Sequence, residues 1–189
     1  MIKQKGMLIT AIMVFLLSAC ATTTRTAQNT MNDRDSDDSS SRYSDYAPPD
    51  YASRLPSRIH TNERTILIDP SVHAWGAYNS DGYLVRAGLA TAGSSWCEDI
   101  GRPCRTKIGH FRIFSLGSSE CKSSRYPIPD GGAPMPYCMF FNGHQGLHGS
   151  YQVVEGNVSH GCVRVEVDDA EWIRFNFARV GTKVIVQPY

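Results

Sequence analysis

From Ile59 onward the apolar positions fall in short runs, each stopped by Gly, Pro, Asn or Asp. That is the spacing of strands and turns. Thr65-Ile66-Leu67-Ile68 is rich in β-branched residues and stops at Asp69-Pro70. Val72–Tyr78 and Tyr83–Ala87 flank Asn79-Ser80-Asp81-Gly82, which predicts a hairpin with Asp-Gly in its turn. Phe111–Phe114, Tyr137–Phe141, Cys162–Val165 and Lys183–Val186 supply further strands. One segment changes period. Ala170, Ile173, Phe177 and Val180 share a helical face, which predicts a helix over Asp169–Arg179. Asp168 as N-cap, with Glu171 three residues on, forms a capping box, and Gly181 supplies the stop. Trp172 flanks this face and reads as core. The expected fold class is mainly β, with one substantial helix near the C-terminus.

The N-terminal part of the chain follows neither pattern. Lys3 and Lys5 precede an apolar run from Met7 to Leu17, too short to span a bilayer comfortably. The run closes on Leu17-Ser18-Ala19-Cys20, which resembles the lipobox of a bacterial lipoprotein signal. The resemblance implies residues 1–19 as a cleaved signal peptide and Cys20 as the lipidated first residue, anchored by several acyl chains. Ala21 follows. With no Asp there, the resemblance favours the outer membrane of a Gram-negative bacterium, facing the periplasm. Residues 20–63 continue through Ala21-Thr22-Thr23-Thr24, Asp35-Ser36-Asp37-Asp38-Ser39-Ser40-Ser41 and Ala47-Pro48-Pro49. So few apolar residues cannot offset ordering entropy, and a disordered tether is expected. About 40 such residues have an r.m.s. reach of roughly 35 Å. Residues 64–189 remain as one folded domain, long enough for a core.

Formal net charge is +1, so no strong pull on nucleic acid is implied. The cysteines are more informative. Cys20, Cys97, Cys104, Cys121, Cys138 and Cys162 are present. With Cys20 lipidated and Cys162 kept as a thiol, four remain, an even number suited to two disulfides in an exported protein. Three pairings are open. The local one, Cys97–Cys104 with Cys121–Cys138, is preferred because each bridge closes a short loop.

Cys162 sits in Ser159-His160-Gly161-Cys162-Val163-Arg164, with Leu147-His148-Gly149-Ser150 upstream. A thiol attacks as thiolate, and an imidazole within hydrogen-bond reach can hold that state near neutral pH. A second reading stays open: His144, His148, His160 and Cys162 as zinc ligands. Against it, His144 and His148 enclose a glycine in a strand or loop, where their spacing does not place them on one helical face.

Thr106-Lys107-Ile108-Gly109-His110-Phe111, Met135-Pro136-Tyr137 with Met139-Phe140, and the His148-Gly149 and Ser-His-Gly-Cys segments together resemble the L,D-transpeptidase (YkuD-type) catalytic domain. The resemblance runs from about Thr65 to Pro188. It departs from the family pattern at Lys107, where a proline is common, and in the 14-residue step from His148 to Cys162, which is short. It implies an L,D-transpeptidase-like β-sandwich acting on peptidoglycan stem peptides, without metal or cofactor, and leaves any protein acceptor undefined. Cys162 would be nucleophile and His148 acid/base, oriented by the Gly149 carbonyl. The backbone amides of His160, Gly161 and Cys162 would face an oxyanion. Ser159, Tyr137 and His144 would bind substrate or hold the loop. Arg164 suits a substrate carboxylate and a structural salt bridge equally. The expected reaction is release of D-alanine from a stem tetrapeptide and cross-linking to an acceptor amine. L,D-carboxypeptidase or cross-link hydrolase action, or a catalytically silent wall-binding lipoprotein, are the alternatives.

Overall fold

The computed structural model describes residues 50–189, in which two β-sheets enclose the main apolar core. The first sheet contains β1 (Thr65–Asp69), β2 (Ala74–Tyr78), β3 (Leu84–Leu89), β4 (Gly109–Arg112) and β9 (Lys183–Val186), in the order β3-β2-β1-β9-β4. The second runs β5 (Ser115–Leu116), β6 (Met139–Asn142), β7 (Gln145–Gly149) and β8 (Val163–Val165). Pairing is antiparallel except at β1–β9 and β7–β8. Ile66, Ile68, Trp75, Val184 and Val186 from one sheet meet Met139, Phe141, Leu147, Val163 and Val165 from the other.

β1 is buried on both faces. Ile66 and Ile68 enter the main core, while Leu67 joins a second cluster with Leu55, Ala74 and Tyr78. The cover for that second face is the segment before β1. Tyr51–Arg54 forms a 3₁₀ turn, Leu55 is buried, Tyr78 donates its hydroxyl to the Pro56 carbonyl, and Arg58 bridges to Tyr83. Residues 51–63 therefore pack on the domain, whereas the tether was expected to run to residue 63. One or two apolar residues in a polar stretch suffice when they land on an open sheet face. Lys3, Lys5, the lipobox and Cys20 lie outside the described residues. No helix among the described residues is long and apolar enough to cross a membrane.

The hairpin forms where Asp-Gly predicts it. Gly82 has φ of 84° and donates its amide to the Asn79 carbonyl, while Asn79 Oδ1 accepts from the amides of Asp81 and Tyr83. Two strands begin later than their apolar runs, because His73 (φ 52°) and Tyr137 (φ 59°) take left-handed backbone. The helix is also displaced. α1 (Val167–Trp172) starts after a single residue, Glu166, past β8 and continues as a π-helical turn, Ile173–Phe177. Its N-cap is Glu166, with no side-chain cap bond, and Asp168 lies in the first turn. Glu171 accepts from the Tyr137 hydroxyl instead of closing a capping box. The element ends early because Ala178 returns to extended backbone, leaving Val180 exposed. Trp172 is part-buried against the core and stacks on Phe177.

Both disulfides follow the local pairing, Cys97–Cys104 and Cys121–Cys138, and Cys162 is the one free cysteine among the described residues.

Candidate active site

β7 and β8 carry the candidate chemistry. In their parallel register Leu147 pairs with Val163, His148 with Arg164 and Gly149 with Val165. Side chains alternate between the faces of a sheet. Leu147, Val163 and Val165 are buried in the core, so His148 and Arg164 face the other way, with Cys162 one step before β8. These three side chains, with His144, line a cavity of about 1230 Å³. The sequence leaves the β7 segment between strand and loop, because Gly146 and Gly149 interrupt any apolar alternation. Those glycines are needed. A Cβ on Gly146 would lie 2.8 Å from the Met139 carbonyl, and one on Gly149 would meet Val167 and Ala170.

His148 is only 5% exposed, and its Nδ1 lies 2.9 Å from the Gly149 carbonyl oxygen. A carbonyl only accepts, so Nδ1 carries the proton and Nε2 is the basic nitrogen. Burial, reinforced by the Arg164 charge, lowers the His148 pKa to about 4. Burial likewise pushes the Cys162 thiol up from its ordinary value, against a backbone contact at Gly146 and the charge of Arg164. Both shifts favour the uncharged forms, thiol and neutral imidazole. A charged His148 holding a preformed thiolate, the state expected from sequence, is disfavoured chiefly at the imidazole, which is buried, while Cys162 is part-buried on the cavity wall. Cys162 Sγ donates to the His144 carbonyl at 3.5 Å.

The loop that carries Cys162 is braced from several sides. Ser159 Oγ donates to the Cys162 carbonyl and accepts the Gly161 amide at 3.1 Å. That bond takes one of the three amides expected to face an oxyanion, so Gly161 drops out as a donor and the amides of His160 and Cys162 are the two left. Gly161 has φ of 117°, and a Cβ there would press on Gln145. Thr106 Oγ1 donates to the Gly161 carbonyl at 2.9 Å. The sulfurs of the Cys97–Cys104 bridge lie 3.8 and 3.4 Å from the Ser159 carbonyl oxygen.

His160 faces neither Cys162 nor His148 as a partner. Its Nε2 lies 2.8 Å from Asp99, inside the first disulfide loop, and its ring packs at 4.4 Å on Tyr126, inside the second. Asp99 and Tyr126 had no sequence signal beyond lying between bonded cysteines. Tyr137 is not brought to the cavity. Its left-handed backbone turns the ring toward α1, where it bonds Glu171 and meets Phe175 edge-on. The Arg164 guanidinium is half-buried and has no carboxylate partner among the described residues, so the salt-bridge alternative finds no support there.

Cys97, Asp99 and His160 are the one group of three potential metal ligands among the described residues. The Cys97 sulfur is already bonded to Cys104, which removes its thiolate. His144, His148, His160 and Cys162 do not converge as ligands.

The L,D-transpeptidase catalytic domain model (YkuD) matches residues 63–186. The chain is similar to a solved L,D-transpeptidase from Xylanimonas cellulosilytica, at 25% identity over 71% of this chain and 65% of that one, with a TM-score of 0.61. It shares its fold with an L,D-transpeptidase from Mycobacterium smegmatis, at 22% identity, a TM-score of 0.54 and coverage of 67% and 59%. It shares it also with L,D-transpeptidase 3 from Mycobacterium tuberculosis in complex with a faropenem-derived adduct, at 24% identity, a TM-score of 0.52 and coverage of 66% and 60%. The match spans less than two thirds of each of these chains. Among curated proteins no sequence matches it. With the family model covering most of the folded part, the chain belongs to the YkuD-type L,D-transpeptidase catalytic domain family.

Proposed function

We propose that this protein is a cysteine-dependent L,D-transpeptidase of the cell envelope that acts on peptidoglycan stem peptides, the substrates of its family. The observation that carries the reading is the placement of Cys162, His148 and Arg164 on one face of the β7–β8 pair, opening into one cavity.

In this reading Cys162 Sγ attacks the carbonyl carbon of the diamino acid at stem position three. Neutral His148 takes the thiol proton on Nε2 as the C–S bond forms. The amides of His160 and Cys162 stabilise the oxyanion, where one such donor contributes about 3 kcal/mol. As the C–N bond breaks, the imidazolium returns its proton to the departing D-alanine amine, leaving a thioester. An acceptor amine then attacks the thioester, His148 removes its proton, and the thiol is restored with an amide cross-link formed. Arg164 holds a substrate carboxylate, and Ser159 and Thr106 fix the loop. His144 positions the thiol through its carbonyl. Water in place of the amine would make the same site a carboxypeptidase.

The lipobox reading complements this chemistry. Cleavage before Cys20 and acylation would tether the domain beside the cell wall, on the periplasmic face of the outer membrane.

The test is product analysis with a stem tetrapeptide and an acceptor. The protein should release D-alanine and carry an acyl group on Cys162 detectable by intact mass, and Cys162→Ala should lose both. Retention of full activity by that variant would overturn the proposal.

A further inference from the structure

The cavity wall is far more basic than the molecule that carries it. Arg102, Arg105, Lys122, Arg125 and Arg164 line it, against one carboxylate, Asp99. That carboxylate is engaged by His160. The chain as a whole has a formal charge of +1, so the excess is local. Arg105 is occupied by Tyr189, through its carbonyl and its ring. Among the described residues Arg102, Lys122, Arg125 and Arg164 have no carboxylate partner.

The origin of these charges is informative. Arg164 comes from β8, but Arg102 belongs to the loop closed by Cys97–Cys104, and Lys122 and Arg125 to the loop closed by Cys121–Cys138. Both loops are tied to the nucleophile segment at His160, one by Asp99 and the other by the Tyr126 ring, over which Arg125 lies at 5.5 Å. Cations held on covalently closed loops around a concave, partly enclosed site attract anions more strongly than the same charges on an open surface. A guanidinium pairs with a planar carboxylate through two donors, a fit that a carboxamide cannot match.

We infer that the cavity selects acyl donors by their free carboxylates, taking acidic peptides and discriminating against the same peptides with those carboxylates amidated. Arg102, Lys122 and Arg125 supply the discrimination. The inference rests on the acyl-transfer reading of Cys162.

Binding to the Cys162→Ala protein, measured by calorimetry, tests it without turnover. Two stem tetrapeptides are compared, one with free carboxylates at positions two and three and one with both amidated. The free acid should bind about tenfold more tightly at low salt, and the margin should narrow as ionic strength rises. In Cys162→Ala carrying R102Q, K122Q and R125Q together, the margin should fall below about twofold. Equal affinities, or no binding of either peptide, would overturn the inference, and the salt titration reads the same electrostatics should the multiple variant fold poorly. D-alanine release by the unsubstituted protein is scored separately. Release from both peptides with equal binding removes the selection and keeps the acyl transfer. Selective binding with no release from either peptide removes the acyl transfer and keeps an acidic-peptide site.

Discussion

At His148 two roles are joined in one side chain. Burial that keeps the imidazole neutral suits it to the proposed role of base, and the Gly149 carbonyl leaves Nε2 as the nitrogen that would take the proton. The same burial couples the residue to stability. Its folded pKa, about 4, lies below the ordinary 6.5, so between those values the unfolded chain binds a proton that the native protein does not. Stability is then complete above pH 6.5 and is lost as the pH falls toward 4, by about 3 kcal/mol. Thermal melts should show this decline, and His148→Asn should flatten it relative to the unsubstituted protein. A parallel decline in both proteins would place the acid sensitivity elsewhere. The raised thiol pKa has its own consequence. Alkylation of Cys162 by iodoacetamide should climb only in the alkaline range, with no plateau near neutral pH. A rate already at its maximum at pH 7 would mean a preformed thiolate.

The elements most useful to the site are those a sequence reader passes over. β7 holds His148, yet Gly146 and Gly149 make it look like a loop. Gly146 is in a strand because the Met139 backbone crosses too close for a side chain. Gly146→Ala must part β6 from β7, and should destabilise the protein by about 2 kcal/mol in denaturant titration. An unchanged midpoint would show that the pair relaxes freely. The segment before β1 makes a second case. Leu55 fills the outer face of the first sheet with Leu67 and Tyr78. Leu55→Ala should lower stability by about 2 kcal/mol, whereas a substitution in a solvated tether would have no effect. The Asp169–Arg179 helix was legible from Ala170, Ile173 and Phe177, which are all buried. Its ends were not, since Glu166 and Ala178 adopt extended backbone for reasons set by β8 and by the return toward β9.

Across the whole molecule, the two disulfides do more than close loops. Both border the cavity, and both reach the Cys162 segment through His160. Each should contribute about 3 kcal/mol by restricting the unfolded chain. Reduction should therefore lower the unfolding midpoint. It should also raise KM for an acidic donor more than it lowers kcat, because the loosened loops carry the cations and not the nucleophile. An equal fall in kcat and kcat/KM would assign the loops to the chemical step instead. In the oxidised protein, labelling of residues 50–189 should modify Cys162 alone.

Residues adjacent in the chain determined much of this protein. The Ser-His-Gly-Cys segment with its upstream His-Gly singled out Cys162 and His148 as the proposed nucleophile and base, and β-branched runs broken at Asp-Pro and Asp-Gly marked the first-sheet strands. Short loops between cysteines pointed to their partners. These are local signals, written in neighbouring residues. Only the tertiary structure decided what depends on burial and on contacts across long separations. It set the neutral state of His148, the engagement of the Gly161 amide by Ser159, and the turning of Tyr137 away from the cavity. His160 was joined to Asp99 across 61 positions. Solvation and charge in such a site belong to the packed whole, and no window of sequence contains them.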